Sequence, residues 1–247
     1  MARILFFPVF LALLGLVIFL VLRIMSMFGL SKSKDIVLHR PAPFPGDPGE
    51  LAGEMLESLK SLSQVEYRSE ILTDFRKITT YSKTGEAGYC KATAKSRVIE
   101  ITREKSEVVI KSGNKDITSL PCAENPWIDF WCGTRSLEES LRLFYEGNFK
   151  VQAGNVGVYM DRKYSELLVL SHALPDQANQ AFDACFSHMS PVYGKNLAQP
   201  GMIIRNFMFK ILVNNLTAMP DYIEIKFNVF RDTEFVCDYL QNSRLLY

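Results

Sequence analysis

The chain is poor in the residues on which most site chemistry depends. Three histidines and five cysteines stand among 247 residues, and no HExxH, GxSxG, CxxC, GxGxxG or GxxxxGKS/T pattern occurs. A zinc knuckle brings its paired ligands within about two to four residues of each other; Cys122 and Cys132 have nine residues between them. A triad of Cys132, His172 and Asp176 can be written down, but any chain of this size offers such triples, so no catalytic residue is assigned. Neither a metal nor a cofactor is expected, because no phosphate cradle or convergent ligand set is legible.

Excess charge of one sign is also missing. Lys plus Arg number 28 and Asp plus Glu 27, for a net charge of +1. Generic nucleic-acid binding draws on counterion release by a basic face, so nucleic acid is not an expected partner. The cysteine count is odd, which excludes complete pairing within one chain and fits a reducing compartment. One or two disulfides with a spare thiol also fit.

What is present begins with a single long apolar run, Ile4–Leu22, nineteen residues without a charge. At 1.5 Å per residue it covers about 29 Å, close to the ~30 Å hydrocarbon thickness. The residues after it, RIMSMFG, lack the small-x-small pattern of a cleaved signal. The run predicts a retained single-pass anchor over residues 1–30, with membrane lipid as its partner through residues 4–22. Arg23, Lys32, Lys34 and Arg40 follow it, and the positive-inside rule places the C-terminal body on the cytoplasmic side. RPAPFPGDPGE at 40–50 holds four prolines and two glycines, so residues 31–49 read as a stiff spacer.

The remainder, 50–247, predicts one α+β domain: a mainly antiparallel sheet of five or more strands with three or four packed helices. PGELAGEMLESLKSLSQ puts Leu51, Met55, Leu59 and Leu62 on one helical face. SLEESLRLFYEG has a Ser N-cap, acids in the first turn and a terminal glycine, and PDQANQAFDACFSHM starts with proline. Val98–Lys111 and Val156–Ser171 read as hairpins around charged turns. PGMIIRNFMFKILVNNL, 200–216, reads as a helix, because Asn206, Lys210 and Asn214 fall at i, i+4, i+8 with apolar residues elsewhere. Its Ile203, Phe207, Phe209 and Leu212 then form a candidate membrane or ligand face. YIEIKFNVF is a strand with alternating apolar residues, and FVCDYLQNSRLLY reads as a short helix.

PCAENPWIDFWCG, 121–133, carries both tryptophans between two cysteines. Its prolines and glycine predict a loop. Three readings stay open: Trp127, Phe130 and Trp131 as a partner contact, the same rings as core, or a loop stapled by a Cys122–Cys132 disulfide. Trp127 sits at the expected loop tip, and Trp131 adjoins the helix from Ser136. Three function classes follow. The first is a membrane-anchored accessory or scaffold subunit that contacts other protein subunits. The second is a tethered module binding lipid or another apolar ligand in a curved sheet closed by the 200–216 segment. The third is a membrane-tethered hydrolase or transferase.

Overall fold

The computed structural model describes residues 47–60, 62, 64–84, 87–113, 116–159 and 162–246. The anchor at 1–30 and the spacer as far as residue 46 lie outside the described residues. Among those described, no helix is long and apolar enough to cross a membrane.

Eleven strands form one antiparallel sheet in the order β6-β5-β4-β3-β2-β1-β11-β10-β9-β8-β7. They are β1 Val65–Thr73, β2 Arg76–Thr84, β3 Tyr89–Ala94, β4 Arg97–Glu104, β5 Glu107–Ser112, β6 Asp116–Pro121, β7 Val151–Tyr159, β8 Arg162–Ala173, β9 Met202–Asn214, β10 Pro220–Arg231 and β11 Glu234–Leu246. Among the described residues, four helices accompany them: α1 Pro48–Lys60, α2 Trp127–Trp131, α3 Leu137–Glu146 and α4 Asp176–Tyr193. The expected α+β class with a mainly antiparallel sheet holds. Every strand pairs with its neighbour in sequence except at one break, between β6 and β7, where α2 and α3 are inserted; β1 pairs with β11, and α4 is inserted between β8 and β9, which still pair.

Antiparallel strands with one covered face should alternate apolar-in and polar-out. Ile223, Ile225, Phe227 and Val229 of β10 are buried, and their sequence neighbours are more exposed. The inner face of the sheet curves around α4, which packs at once on β2–β6 and on β9, strands far apart in the sheet order. Helix α4 presents Ala178, Ala181, Phe182, Cys185, Phe186, Met189 and Val192 to the core, the three-and-four spacing of one helical stripe. At its C-terminus Arg76 Nη1 donates to the carbonyls of Pro191 and Val192 at 3.2 and 2.9 Å, a cation where the helix dipole favours one.

Helix α3 starts as its residues dictate. Ser136 Oγ accepts from the Glu139 N–H at 3.1 Å, and the Glu139 carboxylate accepts from the Ser136 N–H at 3.1 Å. This reciprocal cap satisfies two otherwise orphaned donors. In α1, Leu51, Ala52, Met55 and Leu59 are buried, and the helix begins at Pro48, inside the stretch expected to be spacer.

Two predicted helices are strands. Most of the 200–216 segment is β9, and a spacing of four is shared by one helical stripe and one face of a strand; a bulge also interrupts the alternation of β9. Asn206 has φ +52°, and the β9–β10 register shifts there, with Arg205 opposite Asn228 but Met208 opposite Lys226. The inserted residue lets Ile204 and Phe207, three apart, both face inward. Asn206, Lys210 and Asn214 all lie on the outer side: Asn206 Nδ2 donates to Asn228 Oδ1 at 2.7 Å, Lys210 pairs with Glu224 at 3.1 Å, and Asn214, opposite Tyr164, is covered by its neighbours. FVCDYLQNSRLL, the described part of the second stretch, belongs to β11, where Cys237, Tyr239, Ser243 and Leu245 alternate inward.

Candidate functional site

The predicted loop at 121–133 is built around the short helix α2, and its rings point inward. Trp127, Phe130 and Trp131 are 4%, 9% and 8% exposed, which leaves the expected partner contact without an exposed ring. The reason is aromatic packing. Trp131 meets Phe182 and Phe227 edge-on at 5.3 and 5.4 Å, and its Nε1 donates to the Ala178 carbonyl at 2.9 Å. Phe130 lies 5.6 Å from Phe144, and Trp127 lies 5.9 Å from it. Edge-to-face geometry of this kind adds to the burial of the rings.

The expected face on 200–216 divides between the two sides of β9. Phe207 and Phe209 are buried on the inner side, and Ile203 and Leu212 lie on the outer side, partly exposed. Phe144 stands 5.0 Å from Phe209 and Trp131 6.3 Å from Phe207. Side chains therefore fill the space beside Phe207, whereas Phe209 also borders a small cavity.

All five cysteines are free and buried. Cys132 meets Cys185 of α4, with the two sulfurs 3.0 Å apart, so the thiol it contacts is not Cys122. Burial pushes both Cys132 and Cys90 up, Cys90 to about 11, which suppresses the thiolate needed for nucleophilic chemistry. His172 is exposed with Nδ1 3.1 Å from Asn206 Oδ1, and His188 is exposed with Nδ1 3.4 Å from Thr118 Oγ1. The imidazoles thus have other neighbours than the buried thiol. Among the described residues, no group of three or more His, Cys, Asp or Glu side chains is placed to hold a metal ion.

The less expected feature lies on the inner face of β2, β1 and β11. Ser69, Thr80, Ser82, Thr84 and Ser243 are all buried there, at inward positions where hydrocarbon would be ordinary. These side chains are short, and a cavity of about 80 Å³, open to solvent, lies between them and the α2–α3 segment. Ser69, Ser82, Thr84 and Ser243 form its polar side, and Phe130, Leu137, Phe209, Ile223 and Ile225 its apolar side. The hydroxyls are ordered by their neighbours. Ser69 Oγ donates to Ser243 Oγ at 2.8 Å, Gln241 Nε2 donates to Ser243 Oγ at 3.2 Å, and Tyr239 Oη donates to Gln241 Oε1 at 3.0 Å. Burial pushes the Tyr67 phenol, which also lines the cavity, up to about 12.

Arg135 reaches the same cavity. Its Nη1 bonds both oxygens of buried Asp129 at 2.9 and 3.2 Å, and Arg103 bridges Glu139 at 2.7 Å and Asp129 at 3.4 Å. Burial pushes the Asp129 carboxyl up, and the two arginines offset only part of that. Partial burial also pulls the Glu139 carboxyl upward, but the Arg103 hydrogen bond and the Ser136 N–H outweigh it and hold it at about 2. Arg135 Nε is buried without an acceptor. Sequence reading missed this site because the hydroxyls resemble turn or surface residues until the strand register shows which way they point.

No family model matches the chain, and no curated protein matches it. Among solved structures, the chain is similar to the lipoprotein LppX of Mycobacterium tuberculosis, with 12% identity, 81% of this chain and 95% of that one covered, and a TM-score of 0.41. LprF from Mycobacterium bovis shows 11% identity over 83% and 93%, with a TM-score of 0.37. A DUF1329 family protein from Desulfovibrio piger shows 10% identity over 81% and 91%, with a TM-score of 0.33.

Proposed function

We propose that the protein is a membrane-tethered binding module for a lipid or another apolar ligand, received on the concave face of its curved sheet. The observation that carries this reading is the cavity of about 80 Å³ in that face, apolar on one side and lined with hydroxyls on the other. A two-sided lining is what an amphiphile requires. A small cavity cannot hold a whole chain, since ligand pockets usually run to about 300–1,000 Å³. Uptake therefore needs α2 and α3, which carry Phe130 and Leu137 over the cavity, to move away from the sheet. Residues 4–22 supply the tether and, with the cationic flank after them, hold the body on the cytoplasmic side.

The test uses the full chain in phospholipid nanodiscs that contain a phospholipid with a diazirine near the end of one acyl chain. After irradiation, labelled peptides should include 130–141 and 209–225 as well as 4–22. Labelling confined to the N-terminal segment would overturn the reading.

A second reading, an accessory subunit of a membrane assembly, has one specific observation in its favour. Leu170 pairs with Met208, Met208 with Lys226, Lys226 with Leu240, and Leu240 with Leu72, one row across the outer face. Leu170 and Leu72 are 46% and 39% exposed, and Phe75 and Phe235 are also exposed. A stoichiometric protein partner recovered in mild detergent and lost on Leu72→Asp would favour this reading.

A further inference from the structure

The polar side of the cavity carries more information than its presence. A core that only had to be dry and dense would place Val or Ile at positions 69, 82, 84 and 243, because close-packed hydrocarbon fills space without leaving polar atoms to satisfy. Four hydroxyls stand there instead. Ser69 and Ser243 bond one another, yet each hydroxyl has one proton and two lone pairs, so capacity remains. Beside them, Arg135 has a buried Nε–H without an acceptor, a group that buried polar atoms normally avoid becoming. Its side chain is held in place from the other end, where Nη1 is committed to Asp129 and, at 3.3 Å, to the Pro126 carbonyl.

The charges around this N–H already balance. Arg103 and Arg135 face Asp129 and Glu139 in contacts of 2.7 to 3.4 Å, two cations against two carboxylates. An anionic group added to that set would bring an uncompensated charge into a partly buried site, which is strongly unfavourable. A neutral oxygen would accept the free N–H at no such penalty.

We infer that the cavity is the polar-group subsite of the proposed ligand site, and that it takes a neutral hydrogen-bond acceptor, an ester or amide carbonyl, in preference to a carboxylate. The inference rests on the apolar-ligand reading above. Once α2 and α3 move as uptake requires, the carbonyl oxygen accepts from Arg135 Nε, which is closed off in the structure described, the hydroxyls of Ser69, Ser82 and Thr84 surround the ester or amide, and the attached chain follows the wall of Phe130, Phe209 and Ile225. The volume agrees with a small group of this kind: at ~30 Å³ per water in the liquid, the cavity has room for two to three waters.

Three photoactivatable probes with the same diazirine-bearing chain separate the possibilities: the fatty acid, its methyl ester, and the hydrocarbon without oxygen. Each is added at neutral pH to the full chain in nanodiscs, with labelling normalised to that of the nanodisc lipid. The ester should label peptides 133–141 and 239–245 roughly tenfold more than the acid or the hydrocarbon, the ratio for one well-made hydrogen bond to a charged donor. Arg135→Lys, which keeps a cation for Asp129 but removes Nε, should erase that preference. Ser82→Val fills the cavity without touching the ion pairs and should lower ester labelling at the same peptides; it decides the matter if Arg135→Lys does not melt cooperatively. If the acid labels the body as well as the ester does, the neutral-acceptor inference fails and the ligand reading stands. Equal labelling by the hydrocarbon removes the polar subsite alone. If no probe labels the body, both fall.

Discussion

Replacing Trp131 with alanine tests the packing of the whole concave face. The side chain is 8% exposed and lies within 6.3 Å, centroid to centroid, of Trp127, Phe130, Phe182, Phe207 and Phe227. Truncation removes about 140 Å³ of side chain, and at ~24 cal/mol per Å³ an uncollapsed cavity of that size costs about 3 kcal/mol before the lost transfer free energy is added. The Nε1 bond to Ala178 contributes about 1 kcal/mol more. Neighbouring rings are fixed by α4 and the sheet, so collapse can recover only part, and the expected loss is ~3–5 kcal/mol. Against a total stability of about 5–15 kcal/mol, that lowers the midpoint by roughly 6–20 °C for a body of this size. Near-ultraviolet circular dichroism during a thermal melt of the full chain in nanodiscs reads the change. Trp131→Phe keeps most of the volume and should lose less than half as much. A Trp131→Ala chain whose midpoint moves by no more than 2 °C would refute the reasoning, because the ring would then not be part of the core.

Other perturbations probe separate links. On β9, Ile203→Asp should be tolerated within about 1 kcal/mol, since its outer position leaves the carboxylate in water, whereas Phe207→Asp should abolish the cooperative melt; equal effects would contradict the bulge at Asn206. Glu139 has a folded pKa of about 2 against about 4.3 unfolded, so its contribution is present above pH ~4.3 and is lost as pH falls toward 2. Asp129 is shifted the opposite way, so the clean readout is the difference between the parent and Glu139→Gln, which should shrink through that window. Under diamide the disulfide that forms should join Cys132 to Cys185, as read by a non-reducing peptide map; a Cys122–Cys132 product would show that the sulfurs 3.0 Å apart are not the reactive pair.

Local signals in the chain determined a good deal. The Ser136–Glu139 cap, the proline at the start of α4 and the alternation in β10 each specify their element through interactions within a few residues, and all three elements are present. The net charge near zero and the lack of ligand spacing had already narrowed the chemistry. Tertiary structure decided the rest, because three of its determinants are not local. Asn206, Lys210 and Asn214 stand four apart, a spacing that one helical stripe and one face of a strand share, and only pairing with β10 and β8 distinguishes the two. Burial of Trp127 and Trp131 depends on Phe182, Phe207 and Phe227 arriving from α4, β9 and β10. The cavity exists because Ser69, Ser82, Thr84 and Ser243, spread over some 170 residues of sequence, fall on the same inner face. Small hydroxyls carry no periodic hydrophobic signal, and the side of the sheet they occupy is set by a register that a one-residue slip would invert.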